Sequence, residues 1–471
     1  MPSQFSADCL NEIFAYLKDK MTLHSCLLVN RHWCEVSVRI LWKRIQNYDT
    51  LIACLPSESR EILFKNEIVI STPTSKPPLF NYVAFVKNLS INEIVKNILR
   101  ILQTITSKSF DDNKSIIVTQ EMFKMLMNQI SLKTLDFYYL YFPNSKYFSN
   151  ISFTTYPGAM DCLRNLSELN CGSDISSDRF HQLSQICHHI QSLKITFEGV
   201  VPNELSELIS VQQNLKNLTI INSNSKILTK IKPSLMKVSK TLIKLNLYGG
   251  NSYTPLSFVA EFINLQELVL SFYNHPEYFK NLRHITFPQL QILKFEKQCP
   301  KHEYFARFLE KNGKTLKEIH LCHADDSLKL AIAKCCPNLT SLNTIFNKVE
   351  TLKTILDGCQ QLKSIEVWCG NNYLNESELL KFIAKYSPKE FYDLKINYIT
   401  YAPSELFLEE LEPVFISWIN RIPQKSLSLI IINKIRSSPL SVKKESMEII
   451  EKFKKLGGIK KFEVVNNDSL V

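Results

Sequence analysis

The residues of this sequence with a capacity for chemistry are few, and their spacing works against each in turn. Gly313-Lys314-Thr315 ends like a phosphate-binding loop, yet Phe308 stands where the earlier glycine is required, and a strand rather than a helix is expected next. His302-Glu303 opens like the helix of a zinc protease, but Ala306 occupies the place of the second histidine. His320 and Cys322 alternate along an expected strand, with no further ligands close in sequence. His181 and His188 share one side of an expected helix, with His189 beside them, an ordinary surface arrangement. No GxSxG, GxGxxG or Cys-x-x-Cys pattern occurs. No catalytic residue, metal site or cofactor is expected, and the chain reads as a non-enzyme.

The elements around these residues follow one short rule: apolar, two residues, apolar, one residue, apolar. It occurs as Ile190, Leu193, Ile195, then Leu215, Leu218, Ile220, then Leu242, Leu245, Leu247. Further copies run through Leu265, Leu268, Leu270; Leu290, Leu293, Phe295; Leu316, Ile319, Leu321; and Leu362, Ile365, Val367. The middle positions, from Leu169 through Leu342 to Ile365, recur at steps of 23 to 27 residues. Each copy predicts a short strand with alternate side chains turned inward. A stretch such as "SELLKFIAKYS", with Leu379, Leu380 and Ile383 on one face, predicts the helix that follows it. One strand and one helix cannot bury their apolar sides alone, so the units are expected to stack.

This pattern resembles the leucine-rich repeat in its longer, helix-containing form. The resemblance implies an α/β fold, a curved solenoid with a parallel sheet on its concave side. The usual Asn or Cys after the last apolar position is mostly missing; Asn224, Asn251, Asn274 and Asn371 fall one residue late. Irregular units are expected earlier, around Leu89 and Leu135, and later, near Leu394, Leu429 and Phe462, with a helix at 442–456 as a closing cap.

Length and composition agree with a folded repeat array. The chain has 471 residues, 45% of them hydrophobic and 21% charged, a balance that excludes disorder. Only ten glycines weigh against glycine-rich phosphate loops. The formal net charge of +11 is spread rather than gathered into a stripe, so nucleic-acid binding is not expected. The start "MPSQFSADCL" has neither a basic region nor an apolar core, and no run approaches the ~20 apolar residues of a membrane span. The thirteen cysteines, an odd number, are expected as packed free thiols in the cytoplasm or nucleus. Cys187, Cys336 and Cys359 each precede a repeat's first apolar position by three residues, which is a packing signature.

The first 46 residues do not follow the repeat. Leu10, Ile13, Phe14 and Leu17 fall at helical spacing, with Ser6 as N-cap. Thr22 is expected to cap a second helix, and Val29, Trp33, Val36 and Ile40 line a third. The order "FSADCLNEIFAYL", "LLVNRHW", "ILWK" is similar to the F-box, with Phe5-Ser6 in place of Leu-Pro and Asn30 in place of the central cysteine. A three-helix F-box at 1–46, a connecting region at 47–85 with "STPTSKPP" as linker, and a solenoid over 86–471 are thus expected.

The F-box with repeats implies the substrate receptor of an SCF-type cullin-RING ubiquitin ligase. In it, Phe5, Cys9, Leu10, Ile13, Phe14, Leu17, Leu27 and Leu28 would face a Skp-type adaptor, the link to cullin and RING subunits. Val29, Trp33 and Trp42 would form the module's core. The repeats would hold a protein substrate for ubiquitination and proteasomal degradation, with Tyr248, Tyr273 and Trp368 as an aromatic contact row. The alternative is a repeat-protein scaffold with no ubiquitin-ligase role.

Overall fold

In the computed structural model, residues 5–17, 19–70, 78–105, 112–137, 152–198, 201–223, 225–249, 256–273, 276–322, 324–370, 373–398, 405–406, 411–422, 425–433 and 441–466 are described. The four late asparagines and most of the expected linker (71–77) lie outside them. Two compact units emerge: Met1–Ile221 with Lys230–Thr241, and Asn222–Thr229 with Leu242–Val471. Both are leucine-rich-repeat arrays of the α/β class, built from parallel strands that pair in chain order except near the end of the second unit.

The first unit carries β1 (Asn88–Ser90), β2 (Thr134–Phe137), β3 (Glu168–Gly172), β4 (Ser192–Thr196) and β5 (Asn217–Ser223). Their register places Leu89, Leu135, Leu169, Leu193 and Leu218 side by side in one buried row. The irregular early units around Leu89 and Leu135 therefore belong to the same ladder. Burying each such leucine contributes about 1.5–3 kcal/mol, which is why the motif keeps these positions apolar.

The second unit carries β6 (Lys244–Gly249), β7 (Glu267–Ser271), β8 (Ile292–Phe295), β9 (Glu318–Leu321), β10 (Ser341–Ile345), β11 (Ser364–Cys369) and β12 (Asp393–Tyr398). After these come β13 (Glu405–Leu406), β14 (Leu427–Asn433), β15 (Ser441–Val442) and β16 (Ile459–Asn466). Within this unit a row of its own runs through Leu245, Leu268, Leu293, Ile319, Leu342, Ile365, Leu394, Leu429 and Phe462. β13 and β15 pair only with each other. The expected closing helix is present as Lys444–Lys455, but β16 follows it and pairs with β14, so a strand rather than a helix comes last in the sheet. Val442 lies in β15, outside that helix.

The connections vary more than the strands. Full α-helices such as His302–Asn312, Asp326–Cys335 and Val349–Gly358 follow β8, β9 and β10. Among the described residues between β6 and β8 the connections are 3-10 turns, Ser257–Glu261 and Pro276–Leu282, where Phe258, Val259, Tyr278 and Phe279 still supply buried side chains. Two buried amides stitch neighbouring units. Gln212 accepts from Ile190 N–H at 3.0 Å and donates to the Cys187 and Leu208 carbonyls at 2.7 Å. Asn312 does the same for Phe287 N–H (2.7 Å) and the Ile285 and Phe308 carbonyls (2.8 and 3.0 Å). Both amides are fully used, so their burial carries no desolvation penalty left unmet.

Gly313 lies in the turn between helix His302–Asn312 and β9, but the turn is not what requires a glycine. Its φ of −62° suits any residue, but a Cβ there would sit 2.4 Å from the Cys335 carbonyl oxygen. Gly358 meets the same limit, 2.4 Å from the Ala333 carbonyl oxygen. Both are glycine because successive helices approach closely.

Candidate docking surfaces

The N-terminal residues form α1 (Ala7–Ala15), α2 (Lys20–Cys26) and α3 (Arg31–Leu41). Each helix has a side-chain cap. Ser6 Oγ accepts from Cys9 N–H at 3.3 Å, and Asn30 Oδ1 accepts from Trp33 N–H at 2.9 Å. The second cap is Asp19 rather than Thr22: its carboxylate takes the Met21 and Thr22 N–H groups at 3.1 and 2.8 Å, and the Thr22 hydroxyl donates to it at 2.7 Å. A carboxylate accepts several bonds and favours the positive helix end, so it outcompetes the hydroxyl. These three donors also hold the Asp19 carboxyl below its ordinary value, the Thr22 hydroxyl most of all. Asn30, which departs from the F-box pattern, thus has a local reason for its identity.

The inner face of this module is complete. Leu10, Phe14, Leu23, Cys26, Val36, Val38, Leu41 and Trp42 are buried together, with Leu17, Leu27 and Trp33 packed against them. Phe14 meets Trp33 edge-on at 5.0 Å between ring centroids. Leu10 and Phe14, expected to face an adaptor, therefore point inward, because α1 has only α2 and α3 to cover its stripe. Leu17 and Leu27 are half-buried at the same margin. Val29 is corrected in the other direction: expected in the core, it is 55% exposed in the turn after α2. What remains outside is Phe5, Cys9, Ile13 (47% exposed), Tyr16, Met21 and Leu28 (89%). Cys9, Ile13 and Tyr16 fall at i, i+4 and i+7 and so share one face of α1. The spacing of Tyr16 with Ile13 was the signal for this residue, which the family pattern alone did not mark. His32 Nε2 lies 3.1 Å from the Phe5 carbonyl oxygen and ties down the segment before α1.

The module is seated on the first repeat. Lys43 C=O accepts from the N–H groups of Lys87 and Asn88, both at 2.9 Å, at the start of β1. Trp42 packs on Tyr82 at 4.4 Å, and the Arg39 guanidinium lies 5.9 Å above the Phe85 ring. Among the described residues of 47–85 there are two α-helices, α4 (Tyr48–Ala53) and α5 (Ser57–Lys65), and a 3-10 turn at Val83–Phe85. Ser59 Oγ donates to the buried Glu121 carboxylate at 2.8 Å, on α7 (Asp112–Gln129), the helix that follows α6 (Ile91–Ile105). Lys124 holds the other carboxylate oxygen at 2.6 Å.

On the repeats, the three expected aromatic positions do not act as one row. Trp368 on β11 is 6% exposed, its ring 6.2 Å from His320, so it serves packing on that face of the sheet. Tyr248 is half-buried and donates to Glu296 at 3.4 Å. Tyr273 is 46% exposed and carries the Lys297 ammonium 5.3 Å from its ring centre. Tyr273 lines a cleft of about 670 Å³ after strands β7, β8 and β9, together with Glu296, Lys297, Gln298, Cys322 and Leu328. The charged and amide residues of this cleft lie just after the last inward side chain of β8, a position the repeat period marks and sequence reading passed over. Bonding to Tyr273 is the main reason the Lys297 pKa is raised. Asp325, at its edge, caps helix Asp326–Cys335 by accepting from Leu328 N–H at 2.9 Å. Burial alone would raise its pKa, but the Ser327 hydroxyl and Leu328 N–H bring it below the ordinary value.

Cys162, Cys171, Cys187, Cys299, Cys336, Cys359 and Cys369 are buried within the repeats. Burial pushes the Cys162, Cys187 and Cys359 thiols up to about 12, which makes them poor nucleophiles. Among the described residues no group of His, Cys, Asp and Glu could hold a metal ion, and no helix is long and apolar enough to cross a membrane. Gly313 leads toward strand β9, as expected, and not into the helix that a phosphate-binding loop requires, and His302 and Glu303 open a repeat helix. His181 lies 3.4 Å from Glu207, and His188 bonds the Ser184 carbonyl.

No protein-family model matches the chain, and no curated protein sequence matches it. Among solved structures it is similar to a chain of the Rad7–Elc1 complex of yeast, at 14% identity and a TM-score of 0.39, over 80% of this chain and 96% of that one. It is also similar to the leucine-rich-repeat protein LegL7 of Legionella pneumophila (13%, TM-score 0.36, over 64% and 92%). A leucine-rich-repeat protein of Leptospira interrogans aligns at 15% identity and a TM-score of 0.30, over 79% and 98%.

Proposed function

We propose that this chain is the substrate-recognition subunit of an SCF-type cullin-RING ubiquitin ligase, with residues 1–46 as its F-box. The observation that carries this reading is the division of α1. Leu10 and Phe14 complete a core, while Cys9, Ile13 and Tyr16 leave an apolar face in solvent on a module too small to waste it. A Skp-type adaptor would cover that face together with Phe5 and Leu28, and would bring cullin and RING subunits with it. The repeats would hold a protein substrate, and the chemistry of ubiquitin transfer would belong to the other subunits, this chain supplying effective concentration and orientation. Its thirteen cysteines, which form no disulfide, suit a reducing compartment, the cytoplasm or nucleus.

The test is binding of the full-length protein to a purified Skp-type adaptor, beside the double variant Ile13→Asp with Leu28→Asp. Both side chains are exposed, so stability should move by less than about 0.5 kcal/mol per site, whereas adaptor binding should be lost. A variant that binds as well as the parent would remove the proposed surface. A parent that does not bind, while fully folded, would leave a repeat scaffold without a ligase role.

A further inference from the structure

We propose that two copies of this chain join edge to edge through β16, antiparallel, about a two-fold axis at Phe462. The pairing concerns the last repeat and stands whether or not the adaptor reading holds.

An edge strand offers a row of backbone N–H and C=O groups to whatever comes beside it. In the first unit the N-terminal module closes the edge at β1: the Lys43 carbonyl takes the Lys87 and Asn88 N–H groups, and Arg44 forms a bridge to Asn88. In the second unit no described strand lies beyond β16. Open edges are usually kept short, yet β16, with eight residues, is the longest described strand. The inner row is unfinished there as well. Leu394 and Leu429 are fully buried, while Phe462, next in that row, and Val464 are only half-buried. A terminal repeat ordinarily turns a polar face outward.

The charges on β16 select a second copy as the occupant. Lys461 and Glu463 flank Phe462 in the strand, both exposed, and pair with each other at 2.6 Å. Side chains alternate between the two faces, so two antiparallel copies keep their inner residues on one face only when some residue faces its own copy. With Phe462 in that place, each Lys461 lies opposite the other copy's Glu463, and the four charges alternate in sign. An axis at Lys461 or Glu463 would set like charges against each other, and an axis at Val464 would leave Glu463 opposite Val465. Opposite charges across a strand pair are stabilising and like charges are not. The same register joins the half-buried Phe462 rings of the two copies, which closes the inner row at its open end.

Sedimentation equilibrium of the full-length protein tests this. One strand pair makes a small interface, so a monomer–dimer equilibrium with a Kd of about 1–100 μM is expected. The two-fold makes each substitution alter two contacts. Lys461→Glu and Glu463→Lys should each weaken the dimer about tenfold, and the double change Lys461→Glu with Glu463→Lys should restore it. Both side chains are exposed, 54% and 44%, so each variant should keep the parent's urea midpoint. A parent that stays monomeric across that range would overturn the proposal. So would a dimer that neither single change weakens, or one that the folded double variant fails to restore. Ile13→Asp with Leu28→Asp should dimerise as the parent does. A dimer lost in that variant would place the contact on the N-terminal helices and sink the β16 pairing, so the two surfaces are read separately.

Discussion

The repeat strands and the three N-terminal helices dispose of their apolar side chains in opposite ways. Along β9 to β12, Ile319, Leu342, Ile365 and Leu394 are each sealed by the equivalent residue of the next strand. Every unit thus covers its neighbour, and the pattern leaves little over. In α1 to α3 a single small core is finished on one side by Phe80, Tyr82 and Phe85, and the surplus of Ile13, Tyr16, Leu28 and Val29 stays in solvent. The lesson is that a repeated motif solves burial by translation, while a motif used once leaves part of its apolar surface in solvent.

Substitution sharpens this contrast. The largest change should come from Phe14→Ala, which removes a buried ring from a core with few others. About 3–5 kcal/mol is expected, read as loss of hydrogen-exchange protection in α1–α3 while β9–β12 keep theirs. Equal loss of protection in the strands would show that the two regions unfold as one. Ile365→Ala should cost about 2–5 kcal/mol in urea unfolding, and here protection should fall in the strands on either side while α1–α3 are spared. Gly358→Ala comes next: its Cβ would press on the Ala333 carbonyl oxygen at 2.4 Å, and the two helices must part. A cost of about 1–3 kcal/mol is expected, and an unchanged urea midpoint would show that the helices yield freely.

The smallest effect is that of Asp325→Ala, about 1 kcal/mol for a lost cap. Its sign with pH is fixed by the lowered carboxyl pKa. The contribution is present above the unfolded value of 3.8 and fades as the pH falls through the lowered folded value. Parent and variant should therefore differ at neutral pH and converge in acid. A gap that persists below pH ~3 would mean the cap acts without its charge.

Much of this was legible from the residues alone. The spacing of Leu169 through Ile365 identified the central row, and even the looser copies at Leu89, Leu394 and Phe462 fall in register. A strand's inward positions are dictated by period two, which the sequence carries in full. Other features depend on neighbours the sequence does not name. The stripe Leu10, Ile13, Phe14 and Leu17 predicted a helix with an apolar side, but which members turn inward was decided by where α2 and α3 lie. Asp19 displaced Thr22 as a cap through charge, a competition that spacing does not reveal. The 3-10 turns between β6 and β8 likewise replace expected helices, since Phe258 and Tyr278 fill the layer with bulk instead of length. The cleft residues after β8 escaped notice because they lie just beyond the motif.

The Ser59–Glu121–Lys124 contact bears on how the molecule could be rebuilt. A carboxylate 4% exposed relies on its hydroxyl and ammonium partners, one of them supplied from α5. Residues 48–65 are then a fitted joint rather than a spacer. A chimera that exchanged residues 1–46 for another helical module would keep its foundation only if the cut were made before α4. A cut after α5 would strip Glu121 of the Ser59 hydroxyl and carry the break into the first repeat.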